Sequence, residues 1–269
     1  MNIRIKFAKY GSMKFISHLD VMRFFQKATR RAGLDVIYSE GFSPHQLMSF
    51  AAPLGLGQTS EGEYFDLECH TVPSMEELVQ RLNAAMTEGM TILSAEILPE
   101  YILNTKKETV MALVAASDYL ILKKDGYLEE EPKEEFLSRL SAFLSQTEIY
   151  VTKKTKKAER EMNIAPLIYG ARLHDARPTR FSGSYENGLC FTLLLSAGSV
   201  NHLKPELVLE AFYESLGREY HPYAYQVHRL ETYADLALTT LTQAEIAACM
   251  EHGTMPERKL VPLEKFHRE

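Results

Sequence analysis

Ile3, Ile5 and Phe7 recur at every second position of IRIKFAK, the period of a β-strand with one apolar face. Gly11 and Ser12 then turn the chain, and MKFI is expected to extend or pair with that strand. A helix is predicted from Ser17, with Asp20 three residues on as its capping-box partner. Val21, Phe24, Phe25, Ala28 and Ala32 follow at helical spacing, and Gly33 closes the helix. DVIY predicts a short strand and EYFDLEC an alternating one. Ser74 and Glu77 form a second capping box before Leu78, Val79, Leu82 and Met86, and MTILSAEIL ends the set as a strand.

That order is β-α-β-β-α-β, the split βαβ arrangement. It predicts an antiparallel sheet with both helices on one face and the other face open to a ligand or a second domain. EYILNTKKE, 100–108, reads as a linker. The order then recurs with longer insertions: VMALVAASDYLILKK, a helix opened by Pro132, EIYVTKK, LCFTLLLS, a helix from Pro205 to Gly217, and YAYQVHRLETY. The expected fold class is therefore α+β, two tandem ferredoxin-like units with antiparallel sheets and helices on one face. The units are expected at 1–100 and 109–233, with a short capped helix at Thr242–Glu245 and a tail making up 234–269.

One stretch fits neither period. YSEGFSPHQLMSFAAPLGLG, 38–57, stands where a minimal unit needs a short hairpin. LMSFAA predicts a strand piece, which leaves SEGFSPH and PLGLGQTSEG as two ordered loops. Neither G-x-G-x-x-G nor a Walker-type phosphate loop occurs there, and a strand rather than a helix follows the glycines, so a mononucleotide cradle is not expected.

Composition places the chain among soluble globular proteins, at 45% hydrophobic and 25% charged residues. No apolar run is long enough to span a bilayer, and the alternating, charged first residues do not read as a signal peptide. Cys69, Cys190 and Cys249 are far apart and odd in number, which suits a reducing cytoplasm rather than a disulfide framework. The cysteine spacing holds no iron–sulfur or zinc motif, and no other metal spacing occurs.

Charge is segregated beneath the net −6. Residues 1–58 hold eight Lys/Arg against three acids, and residues 150–180 the same. Residues 59–100 hold nine acids and one cation, Arg81. Basic segments on an acidic body fit a local polyanion site. Arg23, Lys27, Arg30 and Arg31 form one stripe on the first helix, opposite its phenylalanines, spaced to meet consecutive phosphates. Lys153, Lys154, Lys156, Lys157 and Arg160 form a second run, with Arg172, Arg177, Arg180, Tyr169, Phe181 and Tyr185 beyond it. Cations interleaved with aromatics suit unpaired RNA, whose bases stack while its phosphates pair. Lys14, Ser39, Phe42, Ser43 and His45 join the candidate RNA-binding set. His18 and His45 are the weak candidates for acid–base work, and the plainer reading of each is a cap or loop residue.

FISHLD, RRAGL, SEGFSPH, PLGLG and SEGEYFDLE, with the looser KKTKKAEREMNIAPLI, resemble the domain of unknown function linked to radical-SAM proteins. The resemblance implies a radical-SAM partner that carries S-adenosylmethionine and an iron–sulfur cluster, with no cofactor in this chain, which resembles the stand-alone accessory form. The resulting expectation is an accessory protein that binds or presents RNA, tRNA or rRNA, without catalysing the reaction. The alternatives are an RNA-acting enzyme using His18 or His45, and a protein-interaction module. Neither a membrane nor DNA is an expected partner.

Overall fold

A computed structural model describes residues 1–99, 109–127, 131–154, 159–174, 185–198, 201–238, 241, 244–245, 248–249, 254 and 256–266, and at 153–154 and 159–160 it describes the backbone alone. In chain order the elements are β1 (Asn2–Lys9), α1 (His18–Arg31), β2 (Asp35–Val36), β3 (Met48–Phe50), β4 (Thr59–Thr71), α2 (Met75–Ala84) and β5 (Met90–Leu98). Then come α3 (Val110–Leu113), β6 (Val114–Lys123), α4 (Lys133–Leu144), β7 (Tyr150–Lys154), β8 (Glu159–Asn163), β9 (Ile168–Leu173), β10 (Cys190–Ser196), α5 (Pro205–Ser215), β11 (Tyr225–Asp235) and β12 (Leu260–Pro262). The protein is mixed α/β, with few helices and mostly antiparallel strand pairing. No helix among the described residues is long and apolar enough to cross a membrane. The chain divides into two compact units, Met1–Ala116 with Glu231–Glu269, and Ser117–Leu230. The expected linker at 100–108 and Thr242 of the expected tail helix lie outside the described residues.

In the first unit β1 lies between β5 and β4, antiparallel to both, and the far edge of β4 takes β2 and β3. Ile3, Ile5 and Phe7 are buried as the alternation predicts, and their face meets α1 through Val21 and Phe25. The rings of Phe7, Phe25, Phe50 and Phe65 meet at centroid distances of 4.7–6.1 Å. Both serine N-caps form: Ser17 Oγ accepts from the Asp20 amide at 3.3 Å, and Ser74 Oγ from the Glu77 amide at 3.2 Å, while the Glu77 carboxylate turns to Arg81. Gly33, at φ +66°, ends α1 in the left-handed conformation. MKFI differs from expectation. Gly11–Phe15 is a short 3-10 helix, because the chain leaves β1 at Lys9 and must turn before α1 begins.

The face of this sheet opposite the helices is closed rather than open. Arg4 is buried there, its Nε and Nη2 each 2.9 Å from the Asp66 carboxylate and its Nη1 donating to the Leu263 carbonyl at 3.0 Å. Lys6 reaches Glu231 at 2.6 Å and Glu264 at 3.1 Å. Residues 260–262 pair antiparallel with β11, and Leu263 and Phe266 are buried. The C-terminal segment is thus the lid of the first sheet. It is anchored on Arg4 and Lys6, whose desolvation is offset by the Leu263 carbonyl and Glu264 carboxylate it delivers together with Asp66 and Glu231.

In the second unit the strand order is β11-β6-β10-β9, with α4 and α5 packed through Phe136, Leu140, Leu209 and Phe212 against Tyr119, Ile121, Phe191 and Leu193. The strand EIYVTKK pairs with β8 as a separate hairpin, and β9 takes the place beside β10. β8 and β9 lie in a stretch whose sequence reads as irregular, since charge and glycine interrupt both periods there.

Candidate nucleic-acid interface

α1 presents its cations as the stripe predicts. Arg23, Lys27, Arg30 and Arg31 are all exposed, while Val21, Phe25 and Ala28 are buried on the opposite side. Arg23 stands 3.6 Å from Asp20, a loose contact between two exposed side chains and so a weak one. Arg31 is held more firmly. Its Nη2 donates to the Ala85 carbonyl at 2.8 Å, and its guanidinium lies 5.9 Å from the Phe24 ring centre.

The loop after β2 is fastened to this helix by Gln46, which is buried. Gln46 Oε1 accepts from the Thr29 hydroxyl at 3.1 Å. Its Nε2 donates to the Gln26 carbonyl and to the Tyr38 hydroxyl, each at 3.2 Å. Arg30 Nε donates to the same Tyr38 hydroxyl at 3.3 Å. These two donors, Gln46 first, favour the phenolate and lower the Tyr38 pKa. Within the loop, the Ser39 hydroxyl bonds His45 Nδ1 at 2.8 Å and accepts the His45 amide at 3.1 Å, while the Ser39 amide bonds the His45 carbonyl. The ends of SEGFSPH are thereby tied together, and Phe42 projects from the tip fully exposed. Ser43 beside it is exposed as well. A free phenyl ring costs apolar hydration, so a closed, cross-braced loop that displays one reads as a contact surface.

The second loop is also braced. The Gly57 amide donates to the Lys14 carbonyl at 2.8 Å, which sets Leu56 beside the 3-10 helix that ends at Phe15. Lys14 Nζ sits 5.2 Å from the Phe15 ring centre. Phe15, Leu19 and Leu56 are all more than half exposed.

The two histidines do not meet. His18 begins α1 and lines a small pocket with Lys9, Glu63, Val21, Phe50 and Leu54, its ring edge-on to Phe50 at 5.4 Å. Burial lowers its pKa, with Glu63 working against that shift and Lys9 with it. His45 is exposed and engaged with Ser39. Of the second cationic run, Lys153 and Lys154 end β7, Arg160 lies in β8, and Lys156 and Lys157 lie outside the described residues. Arg177, Arg180 and Phe181 lie outside them too. Arg172 is exposed and reaches Asp118 at 3.1 Å.

Sequence reasoning missed Tyr38, Gln46 and Phe15. Gln46 carries no pattern signal, since a buried glutamine is defined by its partners and not by its neighbours in sequence. Tyr38 and Phe15 stand beside quoted candidates, and the mixture of aromatics with cations was the available cue.

These features define a class: a two-unit α/β protein that displays a cationic helix and a braced aromatic loop on one surface. The chain belongs to DUF2344, an uncharacterized protein family conserved in bacteria, whose profile matches residues 2–205. No curated protein matches it.

Proposed function

We propose that this chain is a cytoplasmic RNA-binding accessory protein, without catalysis of its own, that presents RNA to a radical-SAM enzyme. The observation that carries the RNA reading is the junction at the Tyr38 hydroxyl. Arg30 from the cationic helix and Gln46 from the aromatic loop bond that one oxygen, so stripe and loop share a surface. Guanidinium and ammonium groups in a row meet phosphates, and an exposed phenyl offers a platform to a base that has left its stack. The radical-SAM partner is supported by the sequence resemblance, and the cytoplasm by the odd number and wide spacing of Cys69, Cys190 and Cys249.

We also read each unit as ferredoxin-like. In the first, the order β5-β1-β4 with β2 and β3 at the far edge supports this; in the second, β11-β6-β10-β9 does.

The test is a pull-down of the full chain from its native cell, with the bound RNA sequenced and the bound proteins identified. Enrichment of a defined RNA and a radical-SAM protein, with the RNA reduced by the double variant Arg23→Glu/Arg30→Glu, is the expected result. Recovery of neither overturns the reading. Turnover of RNA by the purified chain, lost in His18→Ala, would transfer support to an RNA-acting enzyme.

A further inference from the structure

Arg81 is the one cation in the acid-rich stretch 59–100. It lies on α2, and it faces an open cleft whose other walls are Arg31, Ala84, Ala85, Met86 and Thr87. Arg31 is the last member of the α1 stripe. Its guanidinium is fixed on two sides, by the Ala85 carbonyl and by the Phe24 ring, which leaves further N–H groups directed elsewhere. The bond to Ala85 also offsets the negative end of α2, which would otherwise repel an anion. Arg81 is half-exposed and pairs with Glu77 one turn back on its own helix. Such an exposed pair is weak and exchanges readily for a stronger acceptor.

We propose that Arg31 and Arg81 together form a phosphate site, at which an RNA strand leaving the α1 stripe continues onto α2. Two guanidinium groups lining one cleft suit the several oxygens of a phosphodiester, and one of them is held in place before binding. The site closes the track, since Arg31 is the fourth cation of the stripe and Arg81 a second arm on the same phosphate. It also places the path of the strand on the helix layer, since the opposite face of the sheet is covered by Leu263, Glu264 and Phe266. This proposal rests on the RNA-binding reading.

The experiment measures fluorescence anisotropy of a labelled unpaired oligoribonucleotide against the full chain, as a function of salt, for wild type, Arg81→Gln and Glu77→Gln. Both variants change exposed side chains and leave Arg31 untouched. The Arg81→Gln chain should bind roughly threefold to fivefold more weakly, the scale of one exposed ion pair. Its slope of log affinity against log salt should fall by up to about 0.7, the value for one phosphate on a single strand. Glu77→Gln, which frees Arg81, should bind more tightly than wild type. If wild type binds the oligonucleotide with a steep salt slope and neither variant alters affinity or slope, the Arg31–Arg81 site is wrong while the RNA reading stands. If wild type shows no salt-sensitive binding, both fall.

Discussion

Gln46 and Thr29 are joined side chain to side chain at 3.1 Å, both sealed from solvent, and that bond fixes the aromatic loop to the cationic helix. Gln46→Leu removes this bond and those to the Gln26 carbonyl and the Tyr38 hydroxyl. A loss of about 2 kcal/mol in unfolding free energy is expected, the scale of stranded buried polar groups. Denaturant titration checks it. A midpoint equal to that of wild type would show that the loop is not anchored this way.

Gly62 sits where β4 and the end of β11 approach each other. A Cβ at this position would stand 2.5 Å from the Glu231 Cα and 2.8 Å from its nitrogen, and neither backbone atom can swing aside. Gly62→Ala should therefore cost about 3 kcal/mol, the upper part of the range for overpacked interiors. Thermal unfolding beside Gly55→Ala, whose added Cβ has the Gln58 side chain as its nearest neighbour, separates backbone conflict from a general cost of losing glycine.

Lys6 and Tyr64 share Glu231, whose two carboxylate oxygens each take one bond at 2.6 Å. Burial opposes the charge on Lys6, but Glu231 and Glu264 outweigh it and raise its pKa above the ordinary 10.5. Burial, then the same carboxylates, also raises the Tyr64 hydroxyl well above its ordinary 10.0. In both cases the folded state holds the proton longer than the unfolded chain. The contribution is therefore complete below pH 10 and declines as pH rises above it. Stability measured from pH 8 to 11 should fall along an alkaline limb, and Tyr64→Phe should shorten it. An unchanged limb in that variant would assign the decline elsewhere.

Cys69 and Cys190 are buried, and burial first, then Asp35, pushes the Cys69 thiol up to about 11 against the nearby N-terminal amine. Cys249 is partly exposed. A thiol reagent at neutral pH should modify Cys249 alone in the folded protein and all three cysteines in denaturant. Mass spectrometry after tryptic digestion reads the outcome, and rapid native labelling of Cys69 would contradict the packing of the first core.

The sequence and the fold agree wherever one local period rules. Ile3, Ile5 and Phe7 alternate because one face of β1 is core, and the stripe of α1 is legible because burial of Val21 and Phe25 dictates which side Arg23 and Lys27 take. Agreement fails where partners come from far along the chain. Nothing near Arg4 or Lys6 predicts that Leu263 and Glu264 will cover them, about 260 residues away. β9 was missed for a similar reason, since Gly170 and Arg172 join a sheet through backbone pairing with Leu194 and Thr192, which side-chain periodicity does not report. In the candidate interface, charges and aromatics were readable as residue types. Their union was not, because it depends on one buried glutamine.

The most direct measurement is the salt dependence of binding to an unpaired RNA, compared with a duplex of the same sequence, for wild type and for Arg23→Glu/Arg30→Glu. A single-strand log–log slope of about −3, from four phosphates at about 0.7 each, is expected for wild type. The duplex should bind more weakly, since its stacked bases offer nothing to Phe42, and the double variant should lose at least tenfold in affinity and about half the slope. Binding that ignores salt, or a double variant that binds as wild type does, would contradict the account.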